Sequence, residues 1–273
     1  MTLRLAGPLL LVGAGKMGGA LLEGWLRQGL DPAHVFVCDP NPPPEVAALI
    51  ARHGIGTGAS AELPAKPSVI LLAVKPQIID DVLPSVAPLT GKETVVLSIA
   101  AGRTLASLAR HLPQDAAVVR AMPNTAAAVG HSMTVACAGA AVTRDQALEC
   151  NKLLEAVGQV VWIDDESLLD AVTAISGSGP AYVFLLAECL AEAGREAGLD
   201  ADLANQLARA TVEGAGELLR RSDLSPAELR ANVTSPKGTT AAALEVLMGK
   251  GGFQELLSRA AAAAARRSRE LSS

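Results

Sequence analysis

The chain has 273 residues, half of them hydrophobic, with 2% aromatic side chains and a net charge of -5. That length allows one large or two ordinary domains with sizeable cores. The acidic balance argues against a phosphate-backbone partner and the scarce aromatics against a base-stacking platform, so no nucleic acid is expected.

Arg4 followed by the apolar run Leu5 to Val12 has some likeness to a secretory signal. The run is short and leads straight into glycines, so Pro8 to Val12 reads as a strand buried on both faces of a parallel sheet. Gly13-Ala14-Gly15-Lys16-Met17-Gly18 then matches GxGxxG, and Ala20 to Leu26 has helical apolar spacing. In a dinucleotide fold these glycines give a tight turn, room for a pyrophosphate and close helix–strand contact. Lys16 either adds charge near the phosphates or is solvated. His34 to Cys38 reads as a second strand ending at Asp39. Asp39 lies roughly 20 residues beyond Gly18, where an acidic side chain holds the adenosine ribose. It equally suits the start of an Asp-Pro-Asn-Pro turn, and Asn41 could donate to a 2′-phosphate.

Further strands are expected at Ser68–Val74, Thr94–Ile99, Ala117–Ala121, Met133–Ala138 and Gln159–Ile163. Between them come helices over Gln77–Val86, from Leu105, and from Thr143 to Val157, the last stopped by Gly158. Such alternation describes an α/β fold with a Rossmann-type parallel sheet, whose ligands sit at the carboxyl ends of the strands. Three segments lie at such ends: Ala73-Val74-Lys75-Pro76, Ser98 to Gly102 with Ala100 at its centre, and Met122-Pro123-Asn124-Thr125. Each is a candidate for the nicotinamide half of the cofactor or an ordinary turn.

In Asp170 to Phe184 the sequence reads as a turn of helix, a break at Gly177-Ser178-Gly179 and a new helix opened by Pro180. The exposed N–H groups there would favour an anion. Only helix follows, over about 180–197, 201–221, 226–232, 240–248 and 253–271. The expected domains are therefore 1–165, dinucleotide-binding, and 166–273, helical. So much alanine among the large apolar residues implies that a second copy covers part of this half. Thr234-Ser235-Pro236-Lys237-Gly238-Thr239-Thr240 precedes a helix and either grips a carboxylate or simply caps with Thr239 or Thr240.

Cys38, Cys137, Cys150 and Cys189 lack CxxC spacing, which points to reduced thiols in a cytoplasmic protein with no metal site. No apolar run reaches the roughly 18 residues that span a bilayer, so no membrane partner is expected. His34, His53, His111 and His131 all lie outside the candidate segments, and there is no Ser–His–Asp order, HExxH or paired carboxylates. Hydride transfer to an already polarised double bond fits, because the cofactor carries that chemistry.

GAGKMGGALLEGW, LLAVKPQ, SIAAG, AMPNTAAAVG, DAVTAISGSGPAYVF and NVTSPKGTTAAAL together resemble the pyrroline-5-carboxylate reductase family, in its order and spacing, over essentially the whole chain. The resemblance implies a Rossmann domain, a helical dimerisation domain interlocking two subunits, and often larger oligomers of dimers. It implies reduction of L-1-pyrroline-5-carboxylate to L-proline with NADPH or NADH. By matching motifs, Ser178, Gly179 and Pro180 would line the substrate, and Ser235, Gly238 and Thr239 would hold its carboxylate. Thr240 would hydrogen-bond the ring nitrogen. Ala73, Lys75 and Pro76, with Asn124, would border the cofactor. The family commonly has Gly-Gly where this chain has Lys237-Gly238. A hydroxyacid dehydrogenase on the same fold would need a basic side chain in the helical half, for which Lys237 is the candidate. A dinucleotide-binding sensor would not require a second anion site.

Overall fold

The computed structural model describes residues 2–272. Its first part alternates strand and helix. In chain order these are β1 (Leu9–Val12), α1 (Lys16–Arg27), β2 (Val35–Cys38), α2 (Pro44–His53), β3 (Gly56–Thr57), β4 (Val69–Leu72), α3 (Ile79–Val86) and β5 (Val95–Ser98). Then come α4 (Leu105–Ala109), β6 (Ala117–Met122), β7 (Ser132–Ala138), α5 (Arg144–Glu155) and β8 (Gly158–Trp162). The strands form one sheet in the order β3-β2-β1-β4-β5-β6-β7-β8. The order reverses between β1 and β4, the switch point where open α/β sheets take their ligands.

Alternate residues of each strand serve opposite faces. Leu9 and Leu11 of β1 pack with Leu21, Leu22 and Trp25 of α1 and with Leu153 and Leu154 of α5. Leu10 and Val12 pack with Ile79, Leu83 and Val86 of α3 and Leu108 of α4. Burial on both faces explains why these strands are continuous apolar runs.

Two features depart from the expected elements. β6 and β7 are antiparallel, whereas every other strand pair is parallel. Only residues 123–131 join them, and a parallel return needs about a dozen residues or more. In addition, α2 and β3 follow the Asp-Pro-Asn-Pro turn in a stretch for which no element is expected. Its prolines are the reason: Pro44 opens α2, where a missing N–H is harmless, and Gly54 ends it in the left-handed conformation.

Beyond β8 the expected break is confined to a bend at Ser178, and Pro180 lies in the first turn of the helix that follows. A 3-10 turn (Glu166–Leu168) leads into α6 (Leu169–Val172), a π-helical turn (Thr173–Gly177) and α7 (Gly179–Glu196). Residues Glu166–Glu196 are one helical stretch of 31 residues. Ser178 has φ -86° and ψ -20° and makes no side-chain cap. The π-turn runs directly into this bend, and Ser178 keeps helical φ and ψ as the N-cap of α7.

The chain divides into two compact units. One runs to Gly177 and takes in the stretch from Ala264 onward; the other is Ser178–Ala263. The segment 166–177, read from sequence as part of the helical domain, belongs with the sheet because Leu169 is buried with Val135 and Cys137. Within that unit the end of the last helix also docks, as Ser268 Oγ donates to Asp170 Oδ1 at 2.6 Å.

The second unit holds α7, α8 (Ala201–Arg221), α9 (Pro226–Asn232), α10 (Thr239–Leu247) and the first part of α11 (Phe253–Ser272). Asp200 caps α8 and Ser225 forms a capping box with Glu228 at α9. α7 and α8 approach closely: a Cβ on Gly194 would lie 3.2 Å from the Ala204 Cβ. Among the described residues, the buried hydrophobics of this unit are Ala191, Ala204 and Ala208, while Phe184 is 63% and Val246 76% exposed.

Candidate active site

The fingerprint loop leaves β1 at the switch point. Gly13 adopts φ 89°, and a Cβ there would lie 2.8 Å from the Ala73 carbonyl oxygen at the end of β4. Gly18 lies against the Gly13 carbonyl, with no room for a side chain. Gly15 is the N-cap of α1 without a side-chain cap, and a Cβ there would meet nothing within 4 Å. Open space therefore faces the unpaired first amides of α1, an arrangement that suits a diphosphate. Asp39 is tied to the same loop. Its Oδ2 accepts from Ala14 N at 2.6 Å and its Oδ1 from Asn41 N at 2.9 Å. One oxygen thus starts the turn that the sequence suggests, and the other braces the fingerprint loop.

The remaining candidates of this unit differ in what they offer. Lys16 and Asn41 are exposed, whereas Met17 packs against the core. Ala73 N donates to Val12 O at 2.8 Å, and Lys75 is exposed just before the 3-10 turn opened by Pro76. Ala100 is buried in the core, so only its backbone remains for a ligand. The amide of Asn124 is engaged at both ends. Its Oδ1 accepts from Ala126 N at 3.2 Å, and its Nδ2 donates to Ser176 O at 3.1 Å.

In the helical unit, Ser178, Gly179 and Pro180 are half-buried at the start of α7. Ser235 to Gly238 form a tight turn in which Gly238 N donates to Ser235 O at 3.0 Å. Gly238 is the N-cap of α10, and no side chain caps that helix. Thr239 and Thr240 are its first two residues, so their hydroxyls are not spent on the capping that their position suggested. The first amides of α10 have no partner within the helix.

Lys237 is the one non-glycine with positive φ among the described residues, at 59°. This accounts for the family's glycine: a side chain in the left-handed region costs roughly 1–2 kcal/mol. Lys237→Gly is expected to stabilise the fold by about 1 kcal/mol, less than the full strain because glycine also loosens the unfolded chain. The check is a higher urea midpoint at unchanged slope. Activity should survive the change, which would remove the acid a hydroxyacid dehydrogenase needs.

One buried feature carried no signal. Arg120 of β6 is 4% exposed, and its Nη1 donates to Glu166 Oε1 at 3.0 Å. The same oxygen accepts from Leu105 N at 2.7 Å, at the start of α4. An arginine inside an apolar strand and a glutamate beyond β8 share no spacing that would pair them. Among the described residues no group of three or more His, Cys, Asp or Glu stands together as a metal site.

The mostly parallel sheet, the glycine loop at its switch point and the braced Asp39 define a dinucleotide-binding fold of the Rossmann type. Comparison with known proteins makes this specific. Residues 166–271 match the family described as pyrroline-5-carboxylate reductase dimerisation, and residues 9–102 match NADP oxidoreductase, coenzyme F420-dependent. The pyrroline-5-carboxylate reductase of Pseudomonas aeruginosa is 40% identical over 261 residues, 95% of each chain. A pyrroline-5-carboxylate reductase structure from Coxiella burnetii superposes with TM-score 0.90 at 33% identity, covering 98% of this chain and all of that one. A Plasmodium falciparum pyrroline carboxylate reductase structure with NADP bound gives 0.83 at 30% identity, covering 98% and 99% of the two chains. The chain belongs to the pyrroline-5-carboxylate reductase family, and its cofactor is NADP or NAD.

Proposed function

We propose that this chain reduces L-1-pyrroline-5-carboxylate to L-proline with NADPH or NADH, the last step of proline biosynthesis. The observation that carries this is the 40% identity to a pyrroline-5-carboxylate reductase over 95% of both chains. The reduced nicotinamide, when bound, supplies hydride to C5 of the cyclic imine. Gly13, Gly15 and Gly18 receive the pyrophosphate on the α1 amides, with Lys16 and Met17 at the first turn. Asp39 and Asn41 lie at the adenosine ribose, and Ala73, Lys75, Pro76 and Ala100 border the nicotinamide half.

The chain's own work on the substrate is binding and orientation. Ser178, Gly179 and Pro180 line it. Ser235, Gly238 and Thr239 hold its carboxylate at the uncapped start of α10. The Thr240 hydroxyl hydrogen-bonds the ring nitrogen and sets the face of attack; it is too weak an acid to drive the step alone. The nitrogen takes its proton before binding, or from Thr240 or water. Thr240→Ala is therefore expected to raise the barrier by about 1–3 kcal/mol, the range for losing a hydrogen bond to a charged group. Steady-state kcat/KM for the imine measures this, and unchanged kinetics would remove Thr240 from the site.

A homodimer forms through the helical unit. In support, no large apolar side chain of that unit is buried, while Val183, Phe184, Leu207 and Val246 are exposed. The stretch Glu166–Glu196 is long and apolar enough, by length and composition, to cross a membrane, with 11% of that window buried. We assign its apolar surface to the second subunit, because a family model for dimerisation spans it. Larger oligomers of dimers and a cytoplasmic location belong to the same reading. The cytoplasm suits four unbridged cysteines, among them Cys150, whose thiol burial pushes up to about 12.

A further inference from the structure

The π-turn Thr173–Gly177 is held from outside the helix. π-Turns are rare and often mark functional segments, because the carbonyls they release need other partners. The Ser176 carbonyl has such a partner in Asn124 Nδ2 at 3.1 Å. Pro180, four residues on, has no N–H that could return to it. Two residues before Asn124, Met122 closes on the next position of the turn: a Cβ on Gly177 would lie 2.6 Å from Met122 Cε. Asn124 itself is fixed at the carboxyl end of β6, since its N–H donates to Ser132 Oγ at 3.1 Å and its Oδ1 accepts from Ala126 N. The ligand end of β6 thus grips the last turn before Ser178.

We infer that Asn124 is a positioning residue for imine binding: through its amide on the Ser176 carbonyl it holds the π-turn from which Ser178, Gly179 and Pro180 emerge. This rests on the proposed reduction of a cyclic imine. It differs from the expectation that Asn124 borders the cofactor, because both ends of its amide are committed within the protein. If the Nδ2 donor is lost, the Ser176 carbonyl has no N–H from residue 180 to fall back on. The turn then relaxes, and the substrate-lining residues move with it.

The test is Asn124→Asp, which keeps the oxygen for Ala126 N and turns the donor into an acceptor facing a carbonyl. Asn124→Ser, also a good N-cap, serves if the aspartate variant does not fold. Two readouts are needed. Amide hydrogen exchange of the segment 173–181, followed on the protein without substrate, should quicken at least tenfold. The KM for pyrroline-5-carboxylate should rise roughly tenfold, with the KM for NADPH changed less than twofold. Unchanged exchange would overturn the proposal, whatever the enzyme's substrate. A rise confined to the NADPH KM would also overturn it and return Asn124 to the cofactor. Quickened exchange in a protein whose wild type reduces no cyclic imine would keep the anchoring role and instead refute the reading of function on which the imine role rests.

Discussion

Gly18→Ala is expected to raise the dissociation constant for NADPH roughly hundredfold, about 2.7 kcal/mol. The added methyl would fall inside the radius of the Gly13 carbonyl oxygen, which is backbone and cannot swing aside. Gly13 has no slack either: with φ 89° it is wedged against the Ala73 carbonyl and Val74 at the end of β4. The only relief is for α1 to move away from the loop. That would draw its first amides from the diphosphate and loosen the Ala14 N–H to Asp39 contact. Gly15→Ala is the control for nearby bulk: a Cβ there meets no protein atom within 4 Å, so its effect reports on the ligand and not on the fold. Isothermal titration with NADPH separates the two. A Gly18→Ala protein with lowered stability and weakened nucleotide binding fits the account; one that binds normally does not.

Glu166→Ala is expected to destabilise the first unit by about 2–4 kcal/mol. The Arg120 side chain is 5% exposed and Glu166 27%, so removing the carboxylate strands a buried guanidinium and also leaves the first amide of α4 without its acceptor. Replacing both partners, as Arg120→Met with Glu166→Leu, should cost much less, because no charge is left stranded. Urea unfolding at one fixed protein concentration reads the difference, a necessary precaution for a chain that dimerises. Equal losses in the single and double variants would contradict this account of the pair.

Much of the sheet was legible because β1, β2, β4, β5 and β6 are buried on both faces and announce themselves as apolar runs. The fingerprint was legible because its glycines have steric reasons that hold in any such loop. What the residues did not disclose was long-range or local geometry without a period. Prolines concealed α2, since proline both makes turns and opens helices. The π-turn before Ser178 was not legible because it has no period of its own, and nothing local says that Asn124 will take up the Ser176 carbonyl. The positive φ of Lys237 was visible only as a mismatch with the family's glycine. The site itself was accessible mainly through resemblance. On physics alone, a helix start with threonines is as often a cap as a carboxylate grip, and in the structure no side chain caps α10.

The measurement closest to the central claim follows the absorbance of the reduced nicotinamide with L-1-pyrroline-5-carboxylate as substrate, in separate runs with NADPH and NADH. The account predicts imine-dependent oxidation with at least one of them, and formation of proline in equal amount to the cofactor consumed. A folded dimer that binds NADPH yet oxidises neither cofactor with this imine would contradict it.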